Sequence, residues 1–164
     1  MQGWVPVPGS TKARLVNGAL REFGAHGFAA VGVGTLAERA DVTIGSLYHH
    51  FGSKNGIYTA VREDVERRVL DRMEGAAAIQ PSDLGAVLLV GFDYLVGAGF
   101  ARLLAEPHPE RDSDPIEEFL HTHADRDGMP IGRIVLAAWR AALAAAAAAD
   151  DPSPVRAALR EVIR

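Results

Sequence analysis

Between Val33 and Lys54 two short helical patterns meet at a tight turn, and this run constrains the 164-residue chain more than any other feature. It reads V-G-T-L-A-E-R-A-D-V-T-I-G-S-L-Y-H-H-F-G-S-K. Leu36, Ala37 and Ala40 point inward from the first pattern, Leu47 and Phe51 from the second. Asp41-Val42-Thr43 forms the turn, and Thr43 is a suitable N-cap for a helix from Ile44 to Phe51.

The rest of the chain is read on the same period. Lys12 to His26 carries Leu15, Val16, Ala19, Leu20 and Phe23 on one stripe, with Ser10 or Thr11 as cap. Gly24 and Gly27 bracket its end, and Phe28 enters the core. Ser53 caps a long fourth helix whose stripe is Ile57, Val61, Val65, Val69 and Met73. Glu63, Asp64, Glu66, Arg67 and Arg68 are assigned to its solvated face. A fifth helix, Leu84 to Gly99, is weakened by glycines; a proline-bearing loop from Glu106 to Pro115 follows. Ile116 to Asp125 reads as a short helix and Ile131 to Ala149 as a long alanine-rich one. Val155 to Ile163 closes the chain with Val155, Ala158, Leu159, Val162 and Ile163 on one face. No strand pattern emerges, so the predicted class is all-α. The expected domains are residues 1–55, including an arm over 1–10, and residues 56–164.

At 48% hydrophobic and 23% charged residues, the composition suits one compact unit or two small ones sharing a core. The net charge of -4 argues against indiscriminate coating of DNA. Basic residues nevertheless outnumber acids through Lys54, and the remainder is acidic. Without cysteine there is no disulfide or thiolate metal site. The first ten residues lack the apolar stretch of a secretory signal and read as a mobile arm. Asp93 and Arg102 interrupt the apolar stretch from Leu84 to Leu104, which reads as a buried helix rather than a membrane span. The expected location is the cytoplasm, without membrane contact.

On the helix from Ile44 to Phe51, successive residues turn by ~100°. With Leu47 and Phe51 inward, Gly45 and His49 lie opposite, Ser46 and Tyr48 flank them, and His50 is farther round. Gly45 permits close backbone approach to a DNA groove, and Ser46 and His49 offer hydrogen bonds to base edges. Tyr48, His50 and Lys54 are placed for sugar-phosphate contact. Thr43 completes the DNA-facing set. Geometry alone leaves a plain packing role equally open.

D-V-T-I-G-S-L-Y-H-H-F-G-S-K also resembles the DNA-binding signature of the tetracycline-repressor (TetR-like) regulators. F-G-A-H-G-F upstream is similar to the end of that family's first helix, so the resemblance runs from Lys12 to about Val61. It implies a three-helix helix-turn-helix domain joined by a long helix to a C-terminal helical regulatory and dimerisation domain. The implied function is a sequence-specific, ligand-responsive repressor acting as a homodimer on a palindromic operator, with the last two helices as the dimer interface. Two departures stand out. Gly32-Val33-Gly34 replaces the usual hydroxyl-bearing start of the second helix, and Asn55-Gly56 is expected to fray the start of the fourth.

For a small effector of unknown identity, the candidate pocket residues are Phe92, Asp93, Tyr94, Phe100, Phe119 and Trp139. Asp93 needs a partner within an apolar helix, with Arg102, Arg133, a ligand cation or water as the options. In H-T-H-A-D, His121 and Asp125 share a helix face and His123 does not, so no metal is assigned. No catalytic motif appears, and neither enzyme activity nor a cofactor is expected. The rival readings are a DNA-binding regulator without effector, and a small helical binding or enzyme-like protein that keeps the motif for packing.

Overall fold

The computed structural model describes residues 9–80, 82–125 and 127–163; Trp4 and most of the expected arm lie outside them. The chain is all-α, with nine helices and no strand among the described residues. It divides into two compact units between Glu63 and Asp64, inside the fourth helix rather than at residue 55.

The first unit holds α1 (Thr11–Ala30), α2 (Val33–Arg39), α3 (Ile44–Phe51) and the start of α4 (Lys54–Ile79). Ser10 caps α1 by accepting the Ala13 N–H at 3.1 Å. Gly27, at φ 78°, breaks the helix where the sequence placed its end. Only a residue without Cβ takes that conformation at low cost. The core is Leu15, Ala19, Phe23, Leu36, Leu47, Ile57 and Tyr58, all buried. Tyr58 meets Phe23 edge-on at 5.0 Å, and Phe28 lies 4.7 Å from Tyr58. Glu22 is buried and accepts from Arg39 Nε at 2.7 Å, tying α1 to α2.

In the second unit, the rest of α4 is joined by α5 (Leu84–Gly97), α6 (Ala101–Ala105), α7 (Pro115–Ala124), α8 (Ile131–Ala148) and α9 (Ser153–Val162). α8 is the hub, packing on α5, α6, α7 and α9. Its buried seam is Gly132, Leu136, Trp139, Leu143 and Ala146. The indole of Trp139 is fully buried and donates to the Leu88 carbonyl at 2.9 Å. A Cβ at Gly91 would meet Met73 Sδ at 3.0 Å and Trp139 Cζ2 at 3.2 Å. The glycine that weakens α5 thus makes room for the largest side chain in the core. By length and mean hydropathy (1.5 over 18 residues) α8 also qualifies as a membrane span, whereas α5 is too short.

Two sequence assignments change. Glu66 is not on a solvated face: it is buried, and both its carboxylate oxygens accept from Arg111 Nη2 at 2.7 Å. Arg111 belongs to the loop between α6 and α7, forty-five positions away, which no periodicity reveals. Asp114 of the same loop caps α7 and pairs with Arg140. Leu159 is buried within the unit, while Val162 on the same helix is 69% exposed.

Candidate nucleic-acid interface

The helix-turn-helix is set by one unusual backbone position. Asp41 takes a left-handed φ of 53°, closing the turn between α2 and α3. Asp tolerates this region better than most residues because its short polar side chain can bond locally. Thr43 then caps α3 as expected, its Oγ1 accepting the Ser46 N–H at 3.2 Å. Gly52, at φ 73°, stops the helix after two turns, and its N–H bonds the Tyr48 carbonyl.

Burial on α3 follows the expected wheel. Leu47 is fully buried and Phe51 half-buried; Gly45, Tyr48 and His49 are exposed; Ser46 and His50 are intermediate. The His49 and His50 rings stand 5.2 Å apart at a steep angle. Lys54 sits at the start of α4, with its ammonium 4.3 Å over the Phe28 ring. Lys12 Nζ lies 5.7 Å over Phe51.

Ile44 is the residue that sequence reasoning missed. The wheel puts it within ~40° of the buried centre, yet it is 45% exposed. It stands on the first turn, and angular position does not report where neighbouring helices end. Its exposed branched side chain suits contact with a thymine methyl.

The two glycine departures behave differently. Gly32 caps α2 without a side-chain hydrogen bond, and a Cβ at Gly34 would meet nothing within 4 Å. The start of α4, by contrast, is well made. Ser53 Oγ accepts the Gly56 N–H at 2.9 Å, and a Cβ at Gly56 would fall 2.0 Å from the Phe51 carbonyl oxygen. Gly56 therefore lets α4 begin directly against the end of α3, and fraying is not what it produces.

The six effector candidates do not gather around one opening. Phe92, Phe119 and Trp139 are buried core, and Tyr94 and Phe100 form a half-buried edge contact at 6.5 Å. Arg72 stacks 3.9 Å over Tyr94. Asp93 is exposed, and its partner is neither Arg102 nor Arg133 but Arg156, bound through both oxygens at 2.6 and 2.7 Å. This carboxylate raises the Arg156 pKa by hydrogen bonding and charge. His121 Nδ1 lies 2.6 Å from Asp125, whose other oxygen accepts the Gly132 N–H at 2.6 Å. The Gly132 bond, then His121, lowers the Asp125 pKa. His123 stacks on Phe119 and bonds its carbonyl instead.

A short helix held by a tight turn, with an open hydrogen-bonding outer face, has the geometry of a helix-turn-helix. Residues 15–61 match the family described as "Bacterial regulatory proteins, tetR family". The match places a domain of the tetR-family type at the N-terminal end of the chain and leaves the remainder outside it. It is 39% identical over 71 residues to the HTH-type transcriptional regulatory protein RaaS of Mycobacterium tuberculosis, covering 43% of this chain and 32% of that one. Identity to the HTH-type transcriptional regulator BetI of Paraburkholderia phytofirmans is 31% over 86 residues, covering 50% and 44%. The chain thus spans less than half the length of these relatives, which are named as regulators and not as enzymes.

Likeness of fold extends much farther. A TerR/AcrR-family transcriptional regulator from Aquifex aeolicus superposes with TM-score 0.64 at 18% identity, over 93% of this chain and 97% of that one. A gamma-butyrolactone receptor (ArpA-like protein) gives 0.55 at 17%, over 93% and 97%.

Proposed function

We propose that the protein is a sequence-specific transcriptional regulator that binds a palindromic operator as a homodimer in the cytoplasm, as a ligand-responsive repressor. One observation carries the DNA-binding part: the exposed face of α3, built from Gly45, Tyr48 and His49 over buried Leu47, lies inside the segment that matches the family. Thr43, Ser46, His50 and Lys54 border that face, and Ile44 adds an apolar contact. Two copies reading a palindrome are held about one DNA turn apart, which requires a two-fold assembly.

Binding is expected to weaken steeply with salt, because phosphate contacts release counterions. Tyr48→Phe should weaken binding to all sequences alike. His49→Ala should relax discrimination at one base pair by roughly 1–3 kcal/mol. Fluorescence anisotropy with the DNA upstream of the gene, at several salt concentrations, measures both. Wild-type behaviour of the two variants would refute the assignment of the outer face.

An apolar face is available for dimerisation. Ile134 is 66% exposed, with Ala141 and Ala145 exposed and Ala138 half-buried on the same side of α8. On α9, Ala158 and Val162 are exposed, whereas Leu159 closes the unit's own core. Alanines allow close helix approach, and two helices from each copy suit a four-helix bundle. Ala141→Glu with Val162→Glu should give a folded monomer that no longer binds the operator. A dimer that persists in sedimentation equilibrium places the contact elsewhere.

Effector binding among α4, α5 and α8 would tilt α4 and change the spacing of the two recognition helices, an allosteric coupling of two sites. Phe92 and Trp139 are tightly buried, so an effector entering there must displace packed core side chains; the rival reading is a regulator without effector. A thermal-shift screen separates the two readings.

A further inference from the structure

In the second unit two close contacts clamp α5 to α9, one just past its end and one in its first turn. At one, Gly85 brings its backbone so near the Ile163 carbonyl that a Cβ would lie 2.9 Å from its oxygen. At the other, Arg156 grips Asp93 through Nε and Nη2. From Gly85 to Asp93, α5 rises roughly 12 Å. Between the clamps lies an open groove of about 750 Å3, within the size range of small-molecule sites, about 300–1,000 Å3. Its floor is apolar: Leu89 and Val90 of α5, Ile131 and Val135 of α8, and Val162 and Ile163 at the end of α9.

The charges at the rim are unequally committed. Asp93 has both oxygens on Arg156, and Asp83 caps α5 by accepting the Ala86 N–H at 2.8 Å. Arg160 also lines the groove, and among the described residues no carboxylate is paired with it. An occupant therefore meets an apolar floor beside the Arg160 guanidinium, with Asp83, which caps α5 through one oxygen only, toward the Gly85 end; guanidinium groups bind carboxylates through paired hydrogen bonds. We propose that this groove binds a medium-length alkyl carboxylate, with the chain along Leu89, Val135 and Ile163 and the head group on Arg160. The site is distinct from the six candidate residues apart from Asp93, and binding there is independent of any action on DNA.

The test is calorimetric titration of the full chain, without DNA, using sub-micellar decanoate, decanol and decylamine. Decanoate should bind saturably and raise Tm by a few degrees. Arg160→Gln should weaken it roughly tenfold, the loss expected for one charge-assisted contact. Val90→Glu, which places a negative charge at an exposed position on the floor, should weaken it further while leaving the fold intact. Equal binding of all three probes, unaffected by Arg160→Gln, would mean non-specific surfactant adsorption and overturn the proposal. So would the absence of decanoate binding; if the groove is then masked in a concentration-dependent way, a second copy of the chain is the occupant. Failure of operator binding alone would leave this result untouched.

Discussion

Trp139→Ala is expected to cost about 3–5 kcal/mol of stability in the second unit, the range for removing a large buried aromatic. The indole is fully buried, its ring rests against Gly91, and its N–H is satisfied by the Leu88 carbonyl. Truncation would leave a cavity at the centre of α8 and orphan a buried acceptor. Because a domain's whole stability is of order 5–15 kcal/mol, the variant should melt much earlier, or fail to fold. Trp139→Phe keeps most of the ring and loses the hydrogen bond, so it should fall between the two. Denaturant unfolding followed by circular dichroism measures the series. A Trp139→Ala protein as stable as wild type would show that this residue does not anchor α8 on α5.

Gly56→Ala should have the larger effect on recognition. Its Cβ would collide with the Phe51 carbonyl, backbone against backbone, so no rotamer change relieves it. The start of α4 and the end of α3 must separate, at a cost on the order of 1–3 kcal/mol for overpacking. Since α3 carries the outer face, operator affinity should fall roughly tenfold or more, if each 1.4 kcal/mol is a factor of ten. Gly34→Ala is the matched control. Nothing lies within 4 Å of a Cβ there, and replacing a helical glycine by alanine stabilises by roughly 0.5–1 kcal/mol. If both variants melt and bind as wild type, the close approach of the two helices is not as described. The contrast shows why composition alone misjudges glycine: the same residue weakens α2 and permits the junction of α3 with α4.

The helix-turn-helix was legible in the sequence because its determinants are local. Turn, cap and outer face all fall within the dozen residues from Asp41 to Gly52, where helical period and hydroxyl caps act over three or four positions. The Thr43 cap, the Gly27 break and the burial of Leu47 beside exposed Tyr48 and His49 all follow from that spacing. The resemblance to the TetR-like signature added function to a geometry that by itself left packing open.

What the tertiary structure decided are the contacts between elements distant in sequence. Glu66 pairs with Arg111, and Asp93 with Arg156. A period identifies a helix face but not the loop or helix that will cover it. Hence a charged residue on an apparently polar face became buried, and a carboxylate on an apolar helix proved to be exposed. The same reason governs α8 and α9, where the sequence showed an alanine-rich helix followed by an apolar stripe. Only the packed structure separated the seam through Leu136, Trp139 and Leu143, closed within the unit with Leu159, from the open side carrying Ile134 and Val162. Apolar residues within one stripe contribute alike to a hydrophobic pattern, and which of them lose their water depends on the positions of neighbouring helices.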